Sequence, residues 1–100
     1  MLQYVAMDIK SLSNAINNEL RIEIMNILAN NGKLTVKEIY LLLKHNRPRY
    51  RQTVNKSLEI LKDAKLVIKS YDDDKKNIVF EIRTNKIVID FITKEVKFEE

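Results

Sequence analysis

The sequence predicts an α+β fold, mainly helical with one small β-hairpin, and three observations carry that expectation. Apolar residues recur at spacings of three and four through the first two thirds of the chain, the period of helices with one buried face. The only glycine (Gly32) and the only proline (Pro48) fall between the periodic stretches, where helices stop and start. Beyond Lys65 the pattern changes to β-branched, partly alternating runs on either side of a polar turn.

The first element is expected to be a helix over 1–16, because Leu2, Val5, Ile9, Leu12 and Ile16 form a heptad-like stripe. So narrow a seam suits a dimer contact or packing on the chain's own core. Asn17 and Asn18 interrupt the stripe and can cap a second helix, Glu19 to about Ala29, with Leu20, Ile24, Ile27 and Leu28 inward. Gly32 then supplies a left-handed C-terminal cap. Thr35-Val-Lys-Glu38 reads as a capping box opening a short third helix, with Val36, Ile39, Tyr40 and Leu43 inward. His45-Asn46-Arg47 makes a turn, and Pro48 starts a fourth helix over 48–64, whose Tyr50, Val54, Leu58 and Leu61 face the core. Leu66–Tyr71 and Asn77–Arg83 form the hairpin around Asp72–Lys76. A last segment, 85–98, carries Val88, Phe91, Ile92 and Val96 at helical spacing, so helix is favoured; the β-branched Ile87, Val88 and Ile89 leave a strand open. Two helices joined by a short turn and followed by a hairpin make a winged helix-turn-helix, a single domain over 1–100.

Composition narrows the function. The 45% hydrophobic and 32% charged content is that of a globular protein. No apolar run reaches the roughly 18 residues a membrane span needs, and no leader pattern opens the chain, so a cytoplasmic location is expected. Without cysteine there is no thiolate metal site or thiol nucleophile. A single histidine, no paired acid and base, and no glycine-rich phosphate loop argue against an enzyme. His45 alone cannot hold a metal, since stable sites take about four ligands. Asp72-Asp73-Asp74 diverge on a hairpin tip and read as a solvated turn. No cofactor or metal is expected.

Positive charge is concentrated. Lys33 to Lys69 holds ten Lys/Arg against three Asp/Glu, giving +7; the rest holds eight against eleven, giving −3, which recovers the net +4. Three of the five arginines crowd into Arg47-Pro48-Arg49-Tyr50-Arg51. Such a cluster at the start of a helix suits double-stranded DNA. Arg49, Gln52, Asn55 and Lys56 are the expected base readers, through bidentate bonds to guanine or adenine. Arg47 and Arg51 suit phosphate, as do Thr35 and Lys37 at the start of the third helix. In the hairpin, Lys69, Lys75 and Lys76 are the candidate wing contacts, with the neighbouring aspartates opposing them. The alternative is a winged-helix adaptor that binds a protein partner in the transcription machinery without reading bases.

Leu12 to Leu28 (Leu-Ser-Asn-Ala-Ile-Asn-Asn-Glu-Leu-Arg-Ile-Glu-Ile-Met-Asn-Ile-Leu) and Val54 to Val67 (Val-Asn-Lys-Ser-Leu-Glu-Ile-Leu-Lys-Asp-Ala-Lys-Leu-Val) resemble the opening helices and the recognition helix of ArsR-like (arsenic-repressor type) winged-helix regulators. The resemblance covers roughly residues 8 to 97. It implies a homodimeric repressor built from the first and last helices, so Leu2, Val5, Ile9, Leu12, Ile16, Val88, Phe91 and Ile92 are the expected dimer residues. The family's thiolate site would fall in Leu34–Ile39, which holds no cysteine here, so metal sensing is not expected.

Overall fold

The computed structural model describes residues 8–99 in full and residues 2–4 by their backbone. Four helices and two antiparallel sheets follow one another as β1 (Leu2–Tyr4), α1 (Ile9–Ile16), α2 (Glu19–Asn31), α3 (Val36–Leu42), α4 (Arg51–Asp63), β2 (Val67–Asp72), β3 (Asn77–Ile82), β4 (Lys86–Asp90) and β5 (Glu95–Glu99). The class is α+β. Among the described residues no helix is long and apolar enough to cross a membrane.

Local chemistry sets the helix boundaries. The Asp8 carboxylate accepts from the Ser11 N–H at 2.7 Å and starts α1; the Asn18 side chain accepts from the Arg21 N–H at 3.0 Å and starts α2. Arg21 also donates through Nε to the Ala15 carbonyl and through Nη2 to that of Asn14, tying the end of α1 to the first turn of α2. Gly32 closes α2 at φ +72°, a conformation any side chain would strain. The capping box at Thr35 is complete, Thr35 Oγ1 accepting from the Glu38 N–H and Glu38 Oε1 from the Thr35 N–H. At the far end of α4, Leu66 N–H reaches the Leu61 carbonyl and Lys65 N–H that of Lys62, a Schellman closure with Lys65 at φ +63°.

One core joins these parts. Ile24 and Leu28 of α2, Ile39 and Leu43 around α3, and Val54, Leu58 and Leu61 of α4 meet Phe80 of β3 and Val96 and Phe98 of β5. Each such side chain contributes about 1.5–3 kcal/mol by leaving water. Leu34, between α2 and α3, exchanges backbone hydrogen bonds with Phe80 (3.0 and 2.8 Å), so the link between those helices adds a bridge to the β2–β3 hairpin. That hairpin pairs Val67 with Ile82 through Asp72 with Asn77. The second sheet has the order β1–β5–β4.

Three expectations are corrected. Residues 1–16 are not one helix: Leu2–Tyr4 is a strand paired with β5, and Asp8 caps a helix that starts afresh. Leu12 of the expected seam is buried in the chain's own core and Ile9 packs against it, whereas Ile16 is exposed. Val5 and the Leu2 side chain lie outside the described residues. There is no C-terminal helix either. Ile87, Val88 and Ile89 crowd a helical turn and settle instead in β4, with Phe91 and Ile92 in the turn to β5. Finally, the fourth helix starts at Arg51, not Pro48, with Tyr50 as its N-cap. Tyr50 is therefore 58% exposed and does not join Val54 in the core.

Candidate nucleic-acid interface

Burial of Val54, Leu58 and Leu61 fixes the rotation of α4 and turns Arg51, Gln52, Asn55 and Lys56 to solvent. Arg49 lies before the helix, and its guanidinium sits 5.3 Å from the Tyr50 ring centre. Arg51 and Asn55 border a cleft of about 420 Å³ shared with Val36 and Lys37 of α3, Lys69 of β2 and Asn77, Ile78 and Phe80 of β3. Gln52 continues that edge beside Arg51 and Asn55. Four of the expected site residues (Lys37, Arg51, Asn55 and Lys69) thus converge on one cleft between the helix and the hairpin.

The approach to α4 is held by contacts that the sequence did not reveal. Tyr40 Oη donates to the Pro48 carbonyl at 3.1 Å, and Arg47 Nη2 donates to the Leu41 carbonyl at 2.8 Å while the guanidinium lies over the Tyr40 ring. Arg47, expected on phosphate, is folded back on the end of α3. Glu23 of α2 does more. Its carboxylate accepts from the N–H groups of Lys44, His45 and Asn46 and from the Asn46 amide. Burial opposes its charge, but these donors prevail and hold the group at about 2. A single acid on α2 therefore shapes the whole turn between α3 and α4. A lone glutamate facing a turn 21 residues away leaves no local signal in the sequence.

Thr35, another expected phosphate contact, is 8% exposed with its hydroxyl engaged in the cap, which leaves Lys37 as the exposed member of that pair. The hairpin lysines divide. Lys69 Nζ donates to Glu59 Oε1 at 2.7 Å, and Lys75 Nζ to Glu38 Oε1 at 2.9 Å and the Lys33 carbonyl at 2.8 Å. The Lys69 contact lowers the Glu59 pKa; the Thr35 N–H, then Lys75, lower that of Glu38. Lys76, at φ +52° on the tip, makes no ion pair among the described residues. Asp72 Oδ1 accepts from the N–H groups of Asp74 and Lys75, so the aspartate run closes a turn. No cluster of three metal-ligating side chains occurs among the described residues.

Of the expected dimer residues, Val88, Phe91 and Ile92 are exposed, the last two at 77% and 93%. No family model and no curated protein sequence matches the chain.

Proposed function

We propose that this protein is a winged-helix regulator that binds double-stranded DNA as a homodimer, with α4 in the major groove. The observation that carries the reading is the outward set Arg51, Gln52, Asn55 and Lys56 on the first half of α4, beside a cleft lined by Lys37, Arg51 and Lys69 and by no acid. Groove-docking helices contact bases through their N-terminal residues, and a face rid of net negative charge suits phosphate. The order of elements supports the fold: α2, a bridge at Leu34, α3, α4 and then a hairpin is the plan of a winged helix.

Within this reading Gln52 and Lys56 face the base edges, with Arg49 at the groove entrance. Arg51 and Lys37 flank the cleft, where a phosphate backbone would run. Repression follows from the ArsR-like resemblance alone.

Selection from a random duplex pool, followed by binding titrations across salt, tests the proposal. Gln52→Ala with Arg49→Ala is expected to erase preference among selected sequences. Arg51→Ala is expected to weaken all sequences alike and to reduce the salt slope by about one. Absence of duplex binding at low salt by folded protein would refute the DNA reading and favour the adaptor.

A further inference from the structure

β4 is the outer strand of its sheet, and its far edge has no strand partner among the described residues. An unpaired edge carries a row of free N–H and C=O groups that proteins ordinarily cover or blunt. This one reads Lys86-Ile-Val-Ile-Asp90, with no charge, proline or bulge in its middle. The sequence is complementary to itself when reversed. Laid antiparallel on a second copy with Val88 on the two-fold axis, Ile87 meets Ile89 and Lys86 meets Asp90.

We propose that two copies of this chain join through their β4 edges, merging the two three-stranded sheets, with each Phe91–Ile92 tip seated on the other copy. The proposal rests on the homodimer reading above and identifies its seam. Charge complementarity at Lys86 and Asp90 selects the register, since like charges directly opposite each other would destabilise it. Ile87 and Ile89 share the face of Val96 and Phe98, their neighbours on β5, so the pairing extends the existing core across the axis.

The same register carries a second consequence. It also carries each Phe91–Ile92 turn past the end of the other copy's β4, toward its Arg83–Lys86 segment. Arg83, Thr84, Asn85, Lys86 and Glu99 line a depression of about 560 Å³ there. In this pairing two of the most exposed apolar side chains, Phe91 and Ile92, come to the end of the partner strand that carries this hollow. The tip is shaped to present them: Asp90 Oδ1 accepts from the Ile92 and Thr93 N–H groups, and Lys94 takes φ +61° to return the chain.

The chain has no cysteine, so one introduced thiol reports the seam. Val88→Cys lies on the axis, where facing Cα atoms are about 4.5–5.5 Å apart, inside the disulfide range of about 4.4–6.8 Å. It is expected to oxidise to a covalent dimer at micromolar protein, far faster than Lys44→Cys on the remote turn. In sedimentation without DNA, the wild type is expected to run as a dimer and Phe91→Asp/Ile92→Asp as a folded monomer, since these exposed positions leave the core untouched. A monomeric wild type, equal oxidation of the two thiol variants, or a dimer mass that survives the double substitution would each overturn the proposal. Because DNA is absent from these measurements, they remain decisive whether or not α4 binds a duplex.

Discussion

Glu23→Gln is the most informative single change, because it removes the charge that organises the α3–α4 turn while keeping the side chain's size. The carboxylate lies at about 2 in the folded protein, against 4.5 ordinarily. At 1.36 kcal/mol per pH unit that difference bounds the stabilisation at about 3 kcal/mol. Solvent reaches the group, and screening reduces the expectation to roughly 1–2 kcal/mol. The sign follows from a depressed pKa: the contribution is complete above the unfolded value and fades as pH falls through the folded one. Urea unfolding of wild type and Glu23→Gln from neutral pH down to about 2 reads this directly. The stability gap is expected to be full at pH 7, to narrow below about 4.5 and to close near 2. A gap that stays constant with pH, or none at neutral pH, would refute the claim that this carboxylate holds the turn.

Three further changes test the fold. Lys65→Gly removes the positive-φ penalty at the close of α4 and is expected to stabilise by about 1 kcal/mol in chemical denaturation. Leu58→Ala empties a wholly buried position between the helices and is expected to cost about 2–5 kcal/mol in the same assay. Thr35→Ala opens the capping box and is expected to cost about 1 kcal/mol, with loss of helical circular dichroism confined to a small fraction.

The helical part of the fold was legible because its signals are local. Asn18, Gly32 and the Thr35–Glu38 box each state a boundary within four residues, and the buried stripe of Val54, Leu58 and Leu61 fixes the outward face of α4. The start of that helix is not legible from Pro48, which is tolerated in a first turn but equally before one, and Tyr40 and Arg47 tie that approach to the end of α3. At the C-terminus, Val88, Phe91, Ile92 and Val96 kept a helical spacing by coincidence: Val88 lies on the outer sheet face, Val96 in the core, and the other two in a turn. A signal was present. Asp72 and Asp90 each precede a lysine four residues on, and in both turns the aspartate accepts two N–H bonds while the lysine takes positive φ. The second hairpin repeats the first.

Pairing within the hairpin also changes how the candidate DNA face divides its work. Local charge alone assigns Lys69, Lys75 and Lys76 to the duplex. In the folded chain Lys69 and Lys75 are committed to Glu59 and Glu38. Under the DNA-binding proposal these pairs are expected to cancel opposing charge near a duplex and not to add a contact. Replacing Lys69 by Ala would leave Glu59 with Lys62 as its remaining cation, at 3.3 Å, and so raise the local negative charge; weaker binding in that variant would not identify Lys69 as a phosphate ligand. Lys69→Ala combined with Glu59→Gln separates the two roles. Recovery of affinity in the double variant means neutralisation; persistent loss means direct contact. The close ion pair at 2.7 Å and the lowered Glu59 pKa favour recovery.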